Sequence, residues 1–293
     1  MGLVESVIIS AVVIYIYTYL GGYLAVSITD TIQGLLMALT ATVMPVMAIY
    51  KLGGVHELYL LFAGSASHFK SLSAGNIGFA ILGLVVGHLG IGLGYFGQPH
   101  LLSRFISVKD QETLVRSKKY ALVWFCLVFF GMWTLGIAGH FMIDDLANNE
   151  NIFFKISGEI FHPIAQGILL AAVISAIMST ADSQVLACTA AITDDIKPEW
   201  REDHKTTKKV TLYVAAAATL ISIAGLYIPG GDSVFTLVVL AVYGLGGIFV
   251  PLLIIRWMGY KPDTTHSIVM MASAFTGVIT WTCLLYTSPS PRD

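Results

Sequence analysis

Hydrophobic residues in this chain come in eight long runs, separated by short polar stretches. The runs are Leu3–Val26, Thr31–Leu52, Ile77–Phe96, Tyr120–Phe141, Ile164–Ile192, Val210–Ile228, Ser233–Trp257 and Ile268–Leu285. Each reaches the roughly 20 residues that an α-helix needs to cross a bilayer. The pattern predicts an all-α polytopic membrane protein with about eight transmembrane helices.

The third run carries an internal signature. Gly83, Gly87, Gly90, Gly94 and Gly97 step by four and three, which puts them on one helical stripe. Such a stripe lets helices approach closely. Gly92, Gly94 and Gly97 followed by Pro99 also weaken the helix, and interrupted helices mark binding sites in secondary transporters.

The fifth run is broken by Ser175-Ala-Ile-Met-Ser-Thr-Ala-Asp-Ser-Gln184. An aspartate at a membrane-helix centre costs about 2.5–3.5 kcal/mol on insertion scales. It is tolerated mainly where it faces a cavity, a partner or an ion. Ala176, Ser179, Thr180 and Ser183 fall on one helical face, and Ser175, Ser179 and Asp182 on a neighbouring one. A carbonyl and hydroxyls along a stripe offer neutral oxygens suited to a small hard cation such as sodium. The hydroxyls alone serve equally well as helix glue or as back-bonds to the preceding turn. The carboxylate of Asp182 beside them favours an ion or solute site.

Composition agrees with the pattern. Of 293 residues, 56% are hydrophobic and 12% charged, with mean hydropathy +0.78. Soluble domains run near a quarter charged. A net charge of -2 gives no ground for a nucleic-acid partner. Cys126, Cys188 and Cys283 form no zinc spacing or disulfide framework. No nucleophile triad, Walker loop or transition-metal motif is present, so the chain reads as a non-enzyme.

Basic residues set an expected orientation. Arg104, Lys109, Arg116, Lys118 and Lys119 lie in one loop, Lys197, Arg201, Lys205, Lys208 and Lys209 in another, and Arg256 and Lys261 in a third. The intervening loops hold only Lys51, Lys70 and Lys155. The positive-inside rule makes the rich loops cytoplasmic. His140 to Pro163 is then a long external loop. Asp30, followed by Gln33, fits a capping box at the start of the second helix as well as an ion role. His88 and His100 read as hydrogen-bonded packing residues rather than proton carriers, and Trp124 and Trp133 as facing lipid or neighbouring helices.

Three motifs in order, Tyr17–Gln33, Gly92–His100 and Ala176–Gln184, resemble the sodium:solute symporter family, and within it the proline-type branch. The likeness covers residues 7–282. It implies a five-plus-five inverted-repeat transporter fold, with residues 3–52 as the last two helices of the first repeat, 77–257 as the second repeat, 268–282 as the start of a flanking helix, and the preceding N-terminal helices missing. It implies a symporter in the bacterial cytoplasmic membrane that carries sodium with a small solute, proline or a similar amino acid. Ala176 matches the family's carbonyl sodium ligand, and Ser179 and Thr180 its hydroxyl ligands. Asp30, Asp182 and Ser183 match positions used at a second sodium site or in coupling. Tyr95 and Pro99 match positions around the solute in proline carriers. Ile91 stands where those carriers have tryptophan, which leaves room for another solute such as pantothenate, acetate or a sugar. Some relatives fuse this domain to a histidine kinase, which would make it a sensor.

The tail Cys283–Asp293 can be back-translated into a sequence that resembles a transposase-based sequencing adapter. Residues from about Cys283 onward are therefore expected to lie outside the gene, and Met1 to be an internal methionine.

Overall fold

The structure, a computed structural model, describes residues 2–65, 78–143, 148–227 and 234–285. Among the described residues every regular element is helical. In chain order these are α1 (Leu3–Lys51), α2 (Val55–Gly64), α3 (Phe79–Gly94), α4 (Pro99–Ile106), α5 (Gln111–Met142), α6 (Ile152–Ile160), α7 (Pro163–Ala190), α8 (His204–Gly225), α9 (Val234–Trp257) and α10 (Thr264–Leu285).

Among the described residues six segments are long and apolar enough to span a bilayer: Gly22–Lys51, Phe79–Gly97, Gln111–Met142, Pro163–Ile196, His204–Gly225 and Leu237–Trp257. They coincide with six of the eight predicted runs. The first run corresponds to a shorter apolar limb, Val4–Ile16, and the eighth to α10. The predicted tail begins inside α10, and residues 286–293 lie outside the described residues.

The chain forms two compact units. One holds α1, α2 and α5–α8. Its longest element, α1, is broken at Gly22, whose φ of 60° and ψ of −168° are open only to glycine. Beyond the break, one face carries the exposed Leu24, Ile28, Ile32, Leu35 and Leu39, the arrangement of a lipid-facing stripe. The opposite face buries Val26, Ala41, Met44 and Ala48. Met44 and Ala48 join Leu135 and Ala138 of α5, Phe153 and Ile156 of α6 and Leu169 of α7 in the core.

Glycine sets the closest approaches. A methyl group on Gly131 of α5 would lie 2.0 Å from the carbonyl oxygen of Ala41 in α1. One on Gly139 would strike the ends of Ile152 and Ile156 at 2.6 Å. Gly139 thus makes the seat for α6. This corrects the reading of His140–Pro163 as a plain external loop, since α6 buries Phe153, Ile156 and Ser157. The period of its buried residues was masked by the flanking Asp, Asn and Glu residues.

The other unit holds α3, α4, α9 and α10. Here α3 gives way to a 3₁₀ turn at Tyr95–Gly97, then to extended backbone at Gln98, and α4 restarts at Pro99. Helix continuation fails there because proline disfavours a helical residue before it. The glycine stripe does two jobs. Gly94 and Gly97 pack on α9, where added methyls would meet Val242 and Gly246 at 2.6 and 3.0 Å. Gly87 and Gly90 instead line an apolar groove of about 710 Å³ with α9 and α10.

Three helices begin with an aspartate cap. Asp110 accepts from the Thr113 amide at 2.7 Å, Asp203 from the Lys205 amide at 3.0 Å and Asp263 from the His266 amide at 2.8 Å. These bonds hold all three carboxyls below the usual aspartate range, with the Thr206 hydroxyl the largest contributor at Asp203. All three lie in the lysine- and arginine-rich loops.

Candidate functional site

The polar residues of α7 sit in the middle of a 28-residue helix that starts at Pro163 and runs into a π-helical turn at Ala191–Ile196. Proline at the first position needs no intrahelical donor, so the start is well defined. Thr180 donates its hydroxyl hydrogen to the Ala176 carbonyl at 3.1 Å. The bond turns two of the predicted ligand oxygens toward each other on one side of the helix. The Thr180 oxygen keeps its acceptor sites, whereas the Ala176 carbonyl, inside the helix, already serves both the amide and the hydroxyl of Thr180. Ala176 and Ser179 are half-buried and Thr180 is exposed.

Two residues further along, the environment changes. Asp182 is 0% exposed and Ser183 is 9% exposed, buried where α7 packs on α1. Ser183 reaches Asp30 of α1, its hydroxyl donating to Oδ2 at 3.5 Å. Asp30 lies well inside α1, eight residues past the break at Gly22. The capping-box reading of Asp30 and Gln33 is therefore wrong, because the helix has already started and no free amides await a cap there. The position of the break, at Gly22 instead of between Val26 and Thr31, is what the hydropathy pattern missed. Gln33 has a buried Oε1 with no hydrogen-bond partner among the described residues. The hydroxyls of Ser27, Thr29 and Thr31 on the same helix donate to backbone carbonyls one turn back.

The predicted residues thus fall into three sets. Ala176 and Thr180 are bonded to each other, with Ser179 between them in the chain. Asp30 and Ser183 meet across α1 and α7, with Asp182 buried beside Ser183. Ile91, Tyr95 and Pro99 lie on the interrupted segment of the other unit, Ile91 half-buried on α3 and Tyr95 47% exposed on the 3₁₀ turn. Gln98, between Tyr95 and Pro99, is buried at 4% exposure and was not singled out from sequence. Its signal was available: it is the polar residue directly preceding the proline that restarts the helix. Among the described residues no cluster of histidine, cysteine and acidic side chains is arranged to hold a transition metal.

The chain as a whole has matches among known proteins. A family model described as the sodium:solute symporter family matches residues 1–280. The chain belongs to the sodium:solute symporter family. Curated members of the sodium:solute symporter kind share 32% identity with it. One is sodium/proline symporter 2 of Staphylococcus saprophyticus, aligned over 92% of this chain and 54% of its own length. Another is the sodium/proline symporter of Staphylococcus aureus, aligned over 94% of this chain and 55% of its own length. The chain spans about half the length of these relatives. A solved structure of a Na⁺-coupled sialic acid symporter, in a substrate-bound outward-open state, superposes with a TM-score of 0.66 at 17% identity, covering 97% of this chain and 67% of that one. That likeness shows the inverted-repeat transporter fold expected from the sequence. The candidate spans and the family make this a multi-pass membrane chain, and the relatives named above are symporters, not enzymes.

Proposed function

We propose that this chain is the sodium-binding part of a symporter that imports proline or a similar small amino acid, driven by sodium. The observation that carries the proposal is the run of oxygens on α7, from the Ala176 carbonyl to the buried Asp182 and Ser183, the last of which reaches Asp30 of α1. Ala176, Ser179 and Thr180 hold one sodium ion. Asp30, Asp182 and Ser183 hold a second ion or couple the first to the helix movement. Tyr95 and Pro99, on the interrupted segment, contact the solute. The names of the staphylococcal relatives support proline. Ile91 favours a second reading, in which a pocket without the proline carriers' indole admits a different small solute. In domain terms, residues 3–52 end the first repeat, 77–257 form the second and 268–282 begin a flanking helix.

The chemistry follows from where the oxygens sit. A sodium ion bound between two helices draws their oxygens together, and it favours the conformation in which both sets reach it. Solute binding at the broken helix closes that state. Inward opening spreads the oxygens and releases both cargoes. The symporter sits in the bacterial cytoplasmic membrane with its basic loops inside, so sodium enters down the membrane potential, worth about 2.3 kcal/mol per charge per 100 mV.

The test is uptake of labelled proline into liposomes holding the full-length symporter, with and without an inward sodium gradient, with unlabelled amino acids, pantothenate, acetate and sugars as competitors. Proline accumulation that needs sodium and is blocked by unlabelled proline is the expected result. Ser179→Ala and Thr180→Ala are expected to raise the half-saturating sodium concentration more than they change protein abundance. Accumulation indifferent to sodium overturns the proposal. Sodium-driven uptake of another solute corrects only its cargo.

A further inference from the structure

We propose that Trp124 is a positioning residue that sets the height of Asp30 against α7, an inference resting on the sodium role given above to Asp30 and Ser183. From sequence alone Trp124 is one more aromatic residue on a membrane helix. In the structure its indole Nε1–H donates to the backbone carbonyl of Gly34, 2.9 Å away on α1. Gly34 follows Asp30 by four residues, one helical turn or about 6 Å along the axis.

Two of the contacts between these helices have an informative spacing. Trp124 meets Gly34, and Gly131 meets Ala41. On both helices the second contact lies seven residues after the first, so the two segments run parallel, in register, over two turns. The two contacts are complementary in size. A large side chain crosses a glycine at one level, and a glycine accepts a backbone carbonyl at the other.

The two contacts also do different work. The Gly131–Ala41 contact brings the backbones together, but smooth small-residue surfaces leave sliding along the axis cheap. A directional hydrogen bond to one carbonyl does not. Trp124 lies within the apolar span Gln111–Met142, where lipid offers no partner in place of a lost one. The α1 limb is therefore fixed on α5 by Trp124 and meets α7 through Asp30 and Ser183. A shift of one residue's rise, about 1.5 Å, is enough to take Asp30 out of reach of Ser183, which it now meets at 3.5 Å.

The experiment replaces Trp124 in the full-length symporter with 3-benzothienylalanine, which keeps the ring shape and has sulfur in place of N–H, and separately with phenylalanine. Sodium dependence of uptake, the solute half-saturation at saturating sodium, and the abundance of folded protein are measured together. The expected result is a rise of about threefold in half-saturating sodium for both variants, the factor equivalent to the ~0.6 kcal/mol average of an interhelical hydrogen bond in a membrane. Solute half-saturation at saturating sodium and abundance stay near the native values. Unchanged sodium dependence, or a loss of abundance with no change in sodium dependence, overturns the proposal. Asp30→Asn and Ser183→Ala run beside these. If they shift sodium dependence and the Trp124 variants do not, the positioning role alone is lost. If none shifts it, the sodium role of the α1–α7 oxygens is lost, and the positioning role with it.

Discussion

Ser183 on α7 and Asp30 on α1, 153 residues apart in the chain, are joined by a 3.5 Å hydrogen bond inside the membrane-spanning part of the protein. The bond is long for a hydroxyl and a carboxylate, whose close pairs lie at 2.5–2.7 Å. Such a separation leaves room for both oxygens to turn toward a shared cation. Asp30→Asn removes the charge that a cation would balance and keeps the shape. It is expected to raise half-saturating sodium by about tenfold or more, the scale seen when a partner of a metal site is lost. Ser183→Ala removes one neutral oxygen and is expected to have a smaller effect in the same direction. Uptake titrated against sodium checks both, and wild-type kinetics for Asp30→Asn would remove Asp30 from the site.

Close approach at Gly131 makes a second prediction, with an internal control five residues away. A methyl group on Gly131 would sit 2.0 Å from the Ala41 carbonyl oxygen, a backbone atom that cannot rotate aside. Gly136, on the same helix, has open space around its would-be methyl. Gly131→Ala is expected to push α5 off α1 and cost about 1–3 kcal/mol, as overpacking does. Gly136→Ala is expected to be neutral or slightly stabilising, since alanine outranks glycine in a helix interior. Thermal unfolding of the detergent-solubilised protein separates the two. Equal melting temperatures would mean the α1–α5 contact is looser than the structure shows.

How far the sequence foretells these relationships depends on their range. Six of the greasy runs and the break around Gly97–Pro99 are local patterns, and they reappear where the periodicity puts them. The Asp30–Ser183 and Trp124–Gly34 contacts are products of helix packing, and nothing within either helix announces its partner. Asp30 shows the limit. Asp-x-x-Gln is a fair capping pattern, but a helix that has already begun has no use for a cap. The pattern is silent about Gly22, eight residues earlier, where the chain turns. The aspartate caps of α5, α8 and α10 carry the same kind of local signal, an aspartate directly before the helix, and there the helix does begin.

Gly22 carries a third prediction. Its φ of 60° with ψ of −168° lies in a region essentially reserved for glycine, and a side chain there costs about 1–3 kcal/mol. No atom lies within 4 Å of the position its methyl would take, so the cost is one of backbone conformation alone. Gly22→Ala is therefore expected to destabilise the fold without any steric clash. Replacing Gly22 with D-alanine, whose preferred φ is positive, is expected to be tolerated far better. The comparison of the two by thermal unfolding isolates the backbone term. Equal losses for both would point to a requirement for space in place of conformation.

The last prediction concerns His100, at the start of α4 and outside the spanning segments. Burial disfavours its charged form, and the Arg104 guanidinium one turn on adds repulsion, so its pKa is lowered from 6.5. The neutral ring is thus the form the fold accepts. The unfolded chain takes up a proton at higher pH than the native state does. The stabilising effect of a neutral His100 is then complete above pH 6.5 and is lost as the pH falls through the lower native value. Melting temperature is expected to decline on acidification from pH 7 toward pH 5, and His100→Gln, neutral at every pH, is expected to flatten that decline. Arg104→Gln is expected to flatten it partly, because burial remains when the repulsion is gone. A native and a His100→Gln protein with parallel pH profiles would show that the ring binds protons alike in the folded and unfolded chain, and would overturn the argument from burial.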